Sequence, residues 1–297
     1  MMDDLRARCA VPGAVDFAAG INGMSKVSLT HASGSSAEVH LHGAHVTAWR
    51  NAAGEDLFFV SRQSWFEADR PIRGGIPVIF PQFGAGPLPQ HGFARIREWE
   101  LAGTERRDTG VVAVRFQLAE DQATLAIWPQ RFRLALDVAL DRASLALTYR
   151  VANTDPQPFD FQAMLHTYFA VGDIRRTALY GLEGVTYIDS LRERAREVEP
   201  RAVIRFDQET DRVYAQAPDA LRIEDEDRGR TLRIEKRNMP DVTVWNPWIA
   251  KAQRMPDFGD DEWEGMLCVE TGIARPPHAL APGEEWVGET TFTIQRG

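Results

Sequence analysis

The segment RFRLALDVALDRASLALTYRVAN, residues 131–153, limits the fold more than any other part of the chain. Leu134, Leu136, Val138 and Leu140 alternate with polar or small residues. After Asp141–Ala143 the pattern resumes at Leu145, Leu147 and Tyr149. A period of two places every second side chain on one face of a strand. Two such runs joined by a short polar turn predict an antiparallel hairpin. Shorter runs of the same kind recur at 27–31, 36–42, 45–50, 56–61, 111–119 and 159–171. Others follow at 201–206, 211–216, 220–225, 230–237, 241–246, 265–271 and 285–294. Gly34, Gly43, the Asn51–Gly54 cluster and Asn153–Pro156 mark turns. Only residues 120–130 leave room for a short helix, and long connections are expected only near 61–90 and 247–264. Many strands without intervening helices predict an all-β antiparallel architecture, a sandwich or barrel. No internal repeat, low-complexity tract or domain linker interrupts it. Residues 1–20, rich in Ala, Gly and Pro, read as a loosely ordered leader.

Composition excludes several classes of function. A net charge of −9 over 297 residues argues against nucleic acid, which needs a basic footprint. Any phosphate site must then be a local positive pocket. Cys9 and Cys268 are the only cysteines, one in the leader and one in an apolar run, so no disulfide framework is expected and a reducing compartment fits. The N-terminus, MMDDLRARCAVPG, lacks the pattern of a signal peptide, and no apolar run approaches the roughly 20 residues of a membrane helix. A soluble, cytoplasmic protein is expected, with no membrane partner. His40, His42 and His45 invite a metal reading, but no carboxylate or cysteine completes a ligand set beside them. Strand alternation puts His40 and His42 on one, solvated, face.

Residues 71–99, PIRGGIPVIFPQFGAGPLPQHGFARIREW, concentrate the binding chemistry. Arg73 precedes Gly74-Gly75, where the backbone can turn sharply or approach a ligand. Pro77 and Pro81 exclude a helix interior. If 91–97 runs extended, His91, Phe93, Arg95 and Arg97 share one face. Two arginines beside glycine backbone suit an anionic ligand, because a guanidinium fork holds phosphate or carboxylate bidentately. Further on, Glu270 interrupts the apolar run Met266–Gly272, and His166 interrupts Ala163–Phe169. A carboxylate wedged among apolar neighbours has its pKa raised, which suits a base near neutral pH. The bland alternatives are a solvated strand-end glutamate and a satisfied core histidine. Nothing in the spacing shows that the two meet.

The runs RGGIPVIFPQFG and LPQHGFAR, with LHTYF (165–169), GLEGVTYID (181–189), ETDRVY (209–214), VWNPW (244–248) plus Lys251, and CVETG (268–272), resemble the hexose-6-phosphate mutarotases of the aldose 1-epimerase superfamily. The resemblance extends from about residue 20 to the end. It implies a single large antiparallel β-sandwich domain of the galactose-mutarotase type over residues 21–297, with few short helices and a groove across one concave sheet. It implies Glu270 as general base and His166 as general acid in α/β anomer interconversion of hexose 6-phosphates. It further implies Arg73, Gln90, His91, Arg95 and Asp211 as substrate contacts, no metal and no cofactor, and a monomer or weak dimer. Trp245 or Trp248 is a candidate sugar wall. In the family a lysine commonly follows the aspartate of the GLxGxxYxD segment; Ser190 stands here, so the pairing of Asp189 differs. Competing readings are an epimerase of unphosphorylated aldoses and a non-catalytic carbohydrate-binding sandwich. A glycosidase is weaker still, since it needs two carboxylates flanking the bond.

Overall fold

The computed structural model describes residues 2–296. Three antiparallel sheets carry nearly all of the regular structure. The hairpin at 131–153 forms as its alternation predicts, Phe132–Leu140 against Ser144–Asn153 with Leu140 opposite Leu145. Residues along Ser144–Asn153 alternate between buried and half-buried. This pair lies inside a nine-stranded sheet that runs from Val203–Arg205 at one edge to Glu100–Arg106 at the other.

The eight-stranded sheet bears the site. Its order is Ala195–Val198, Thr186–Asp189, Thr210–Tyr214, Asp241–Asn246, Met266–Leu280, Phe159–Leu165 and Val78–Ile79, with Tyr168–Ala170 also pairing onto Met266–Leu280. Strands Asp241–Asn246 and Met266–Leu280 are central, and Asp241–Asn246 is buried on both faces. One hydrophobic core draws on all three sheets, with Phe17 and Trp49, Phe161 and Val244, and Leu147 and Phe292 fully or almost fully buried. The short helix foreseen within 120–130 is Gln122–Ile127, closed at its start by a capping box between Asp121 and Thr124. No helix among the described residues is long and apolar enough to cross a membrane.

Four expectations differ from the structure. Residues 2–20, expected within a loose leader, hold regular structure: Met2–Cys9 is a helix and Val15–Ala19 pairs as an edge strand, with Phe17 fully buried. The alternation of Val15 and Phe17 with Asp16 and Ala18 carries this, masked by the preceding Pro12-Gly13. Segment 56–61 makes only isolated bridges rather than a strand. Residues 91–97 are not extended: His91 has φ 64° and Ala94–Ile96 is a 3₁₀ turn, so the proposed shared face does not exist. His40 and His42 are buried at 3% exposure, because the segment around 66–74 covers them. Each histidine of that trio has its own hydrogen-bond partner: Thr47 for His40, the Arg70 carbonyl for His42 and the Gly74 carbonyl for His45.

Candidate active site

Strand register assembles the site from two rows across one face of the eight-stranded sheet. Val213, Thr243 and Glu270 stand opposite one another on three adjacent strands. Two residues along, Asp211, Trp245, Cys268 and Tyr168 form the second row. His166 shares the face of Tyr168, and their rings stack at 4.8 Å. The pairing of Leu165 with Thr271 then brings His166 to Glu270. His166 Nε2 lies 3.3 Å from Glu270 Oε1. Both side chains are almost completely buried. They form the floor of a cavity of about 410 Å³.

Burial penalises both charges. It raises Glu270 well above its ordinary 4.5, with Asp211 adding to the rise. It lowers His166 well below 6.5, with the Arg73 and Arg95 charges adding to the fall. Glu270 Oε2 and His166 Nδ1 have no hydrogen-bond partner. A pair so placed shares protons as a unit, and its titrations belong to the pair.

The loop after Val78–Ile79 supplies one wall. Gly92 is required there, since φ is 67° and a Cβ would collide with the Phe80 carbonyl. The turn presents Gln90 and His91 to the cavity. His91 Nδ1 accepts from the Gly84 N–H at 3.3 Å. Burial, with Arg95 and Arg73 nearby, lowers its pKa to about 3, so it is neutral. Arg73 faces the cavity, but its charge is already engaged: it pairs with Asp257 at 3.0 Å and donates to Tyr168 Oη at 3.1 Å. Arg95 is not among the cavity-lining residues; its guanidinium donates to the Gln90 carbonyl at 2.8 Å.

Asp211 lines the opposite wall, its pKa raised by burial and held back by Lys251. Lys251 Nζ lies 3.3 Å from Glu209 and 3.9 Å from Asp211, above the Trp245 ring. Trp245 lines the cavity, whereas Trp248 packs at a tilt against Trp263. Arg212 is no solvated surface charge. It is mostly buried, paired with Asp189 and Glu199, and lies over Tyr187. Arg212 thus supplies the cation for Asp189 where Ser190 follows it, and Ser190 itself faces the cavity.

Of the seven residues singled out from sequence, six meet at this cavity and Arg95 stands behind it. Lys251, Arg194 and Arg275 were missed. Position after VWNPW was a usable signal for Lys251. Arg194 comes from a turn and Arg275 from within the long strand Met266–Leu280, with no local pattern to mark either.

Residues 25–293 match the family model described as aldose 1-epimerase. The chain belongs to the aldose 1-epimerase family. It is 42% identical over 280 residues to a protein of Cenchrus ciliaris provisionally named glucose-6-phosphate 1-epimerase, covering 92% of this chain and 85% of that one. A protein of the same provisional name from Escherichia coli K12 is 34% identical over 79% of this chain and 78% of its own length. Among solved structures, a provisionally assigned mutarotase of Salmonella typhimurium superposes with a TM-score of 0.89 at 26% identity, covering 97% of this chain and 96% of that one. The fold is therefore the galactose-mutarotase-like sandwich, and the chain is a sugar epimerase acting on a small-molecule substrate.

Proposed function

We propose that this epimerase interconverts the α and β anomers of D-hexose 6-phosphates, with Glu270 and His166 as its base and acid. The 3.3 Å contact between them on the cavity floor carries the reading. Ring opening of a hemiacetal requires the O1 hydroxyl to lose a proton while the ring oxygen gains one. Glu270 accepts the first and His166 delivers the second. The products of that exchange are a protonated Glu270 and a neutral His166, the forms that burial favours. Rotation about C1–C2 and reclosure on the other aldehyde face return both protons. Gln90, His91 and Asp211 hold the hydroxyls, and Trp245 offers an apolar wall.

The phosphate assignment rests on charge. Arg73, Arg194, Lys251 and Arg275 all face the cavity in a chain of net charge −9. Arg73 contacts the phosphate, while Arg95 adds field from behind and holds Gln90. One observation favours the unphosphorylated-sugar reading: Asp257 already compensates Arg73. A non-catalytic module would gain nothing from burying an unsatisfied carboxylate beside an imidazole. The protein acts as a cytoplasmic monomer or weak dimer, built as one domain.

Anomer-exchange NMR on glucose 6-phosphate and glucose, under matched conditions, tests the assignment. Hydrogen bonds to charged groups contribute about 1.5–3 kcal/mol. Arg73→Ala is therefore expected to lose roughly 10- to 150-fold on the phosphorylated sugar and little on glucose; Arg95→Ala should lose less. Equal losses on both sugars would return the protein to a general aldose 1-epimerase.

A further inference from the structure

Cys268 takes no part in these proton transfers and does not line the cavity, yet it is buried beside the two residues that form the floor. It occupies the cross-strand row between Trp245 and Tyr168 and shares the face of Glu270, two residues along. Its thiol sulfur, a ring nitrogen of His166 and a carboxylate oxygen of Glu270 all lie within 4.8 Å of one another, and all three residues are buried. Two atoms on these residues, Glu270 Oε2 and His166 Nδ1, have no hydrogen-bond partner among the described residues, so neither carboxylate nor imidazole is fully satisfied. Buried acceptors left unpaired are costly, and a cation is one means of satisfying them.

We propose that His166, Cys268 and Glu270 form an inhibitory site for a thiophilic divalent cation, with Zn²⁺ the best match. One sulfur, one nitrogen and one oxygen donor make a three-ligand zinc set whose fourth position opens on the sugar cavity. Magnesium and calcium prefer shells made of oxygen, which this set does not provide. Binding deprotonates the thiol and displaces the proton shared by His166 and Glu270, so both protons pass to solvent. Burial pushes the Cys268 thiol up, but a coordinating thiol is deprotonated outright. Affinity therefore rises with pH. The metal is not needed for exchange. It removes the acid and the base together, so the inhibition rests on the function proposed above, whereas the binding does not.

Cobalt titration of the intact protein reads the site without any assay of exchange. Co²⁺ bound to a thiolate shows a charge-transfer absorption. The band is expected in the unmodified protein and in Cys9→Ser, and should be absent in Cys268→Ser and Cys268→Ala. Because Cys9→Ser leaves Cys268 as the only thiol, it decides the matter even if the Cys268 variants fail to fold. No band in the unmodified protein, or its loss in Cys9→Ser, overturns the site. In the exchange assay, Zn²⁺ should inhibit reversibly, with chelator restoring the rate. Loss of an outer-shell partner already costs about 10–100-fold in metal affinity, so Cys268→Ser should be at least about tenfold less sensitive to zinc, each protein being scored against its own metal-free exchange rate. Equal zinc sensitivity would sink the proposal. A protein that binds cobalt through Cys268 but exchanges no sugar would refute the function and leave the metal site standing.

Discussion

Two buried glutamates on neighbouring segments, Glu262 and Glu270, have the same side chain and nearly the same exposure but opposite surroundings. Glu262 accepts from Ser61 Oγ at 2.6 Å, from the Arg62 N–H and Nε at 2.9 and 3.0 Å, and from the Gly259 N–H at 2.9 Å. Burial alone would raise its pKa, but those donors outweigh burial and hold it below 4.5. Glu270 has one oxygen on His166 and one with no partner, and burial raises it. Donors that outweigh burial at Glu262, and their scarcity around the more deeply desolvated Glu270, separate the two, which is the difference expected between a carboxylate that fastens the chain and one that exchanges protons.

The largest test replaces Glu270 by Gln. Shape is kept and basicity lost, so exchange should fall by about 10²–10⁴-fold, the usual contribution of a general base. Thermal unfolding should show no loss of stability. A carboxyl whose folded pKa is raised loses its stabilising contribution as pH rises through that pKa, and Gln cannot ionise. A Glu270→Gln protein that keeps its exchange rate, or that melts early, would erase the contrast. His166→Asn should lose exchange to a similar degree.

The pH profile sharpens the same point. The working pair holds one proton, so exchange should show a plateau bounded by an acid limb below 6.5, where His166 also protonates. The alkaline limb should lie well above 4.5, where Glu270 loses its proton. An acid limb at the ordinary carboxylate value that survives in His166→Asn would mean that the two groups titrate independently.

Glu262→Gln should do the reverse of Glu270→Gln. It leaves N–H and O–H donors facing an amide, which costs at least about 2 kcal/mol in chemical denaturation, with exchange at low temperature preserved. Since the folded pKa of Glu262 is depressed, its stabilisation is present above 4.5 and disappears as pH falls through the folded value. Unmodified protein should therefore lose stability in acid more steeply than the variant. The smallest effect is expected for Lys251→Met. Its ion pairs are partly exposed and contribute about 1 kcal/mol or less, so KM should rise by no more than roughly fivefold.

Strand alternation made much of the fold legible, because a half-buried sheet writes its period directly into the chain, as at Leu134–Leu140. The leader and segment 56–61 were misread where Pro-Gly punctuation or single bridges broke that period. The site was legible residue by residue but not as an assembly. His166 and Glu270 are more than a hundred positions apart, and the ladder pairs that flank His166, Leu165 with Thr271 and Tyr168 with Cys268, join them. The resemblance to known epimerases supplied that link; periodicity did not contain it. Arg95 was misplaced because a positive φ at His91 turns the chain away from the extended path that would have aimed it inward. Cys268 was visible as an apolar-run cysteine, but its nearness to His166 again required the register.

Glu270 stands on the central strand Met266–Leu280, and His166 sits in the two-residue break between Phe159–Leu165 and Tyr168–Ala170, both paired to that strand, whereas Gln90, His91, Ser190 and Arg194 stand on connections. On the proposed roles, the acid and base are thus fixed by the sheet ladder, while part of the sugar's surroundings comes from segments that can be exchanged without disturbing it. Insertions or exchanges in those connections alter what is held without moving the acid from the base. Descendants of such a chain can diversify in diet while keeping a single chemistry, and an engineer seeking a new sugar should graft the connections and leave the sheet alone.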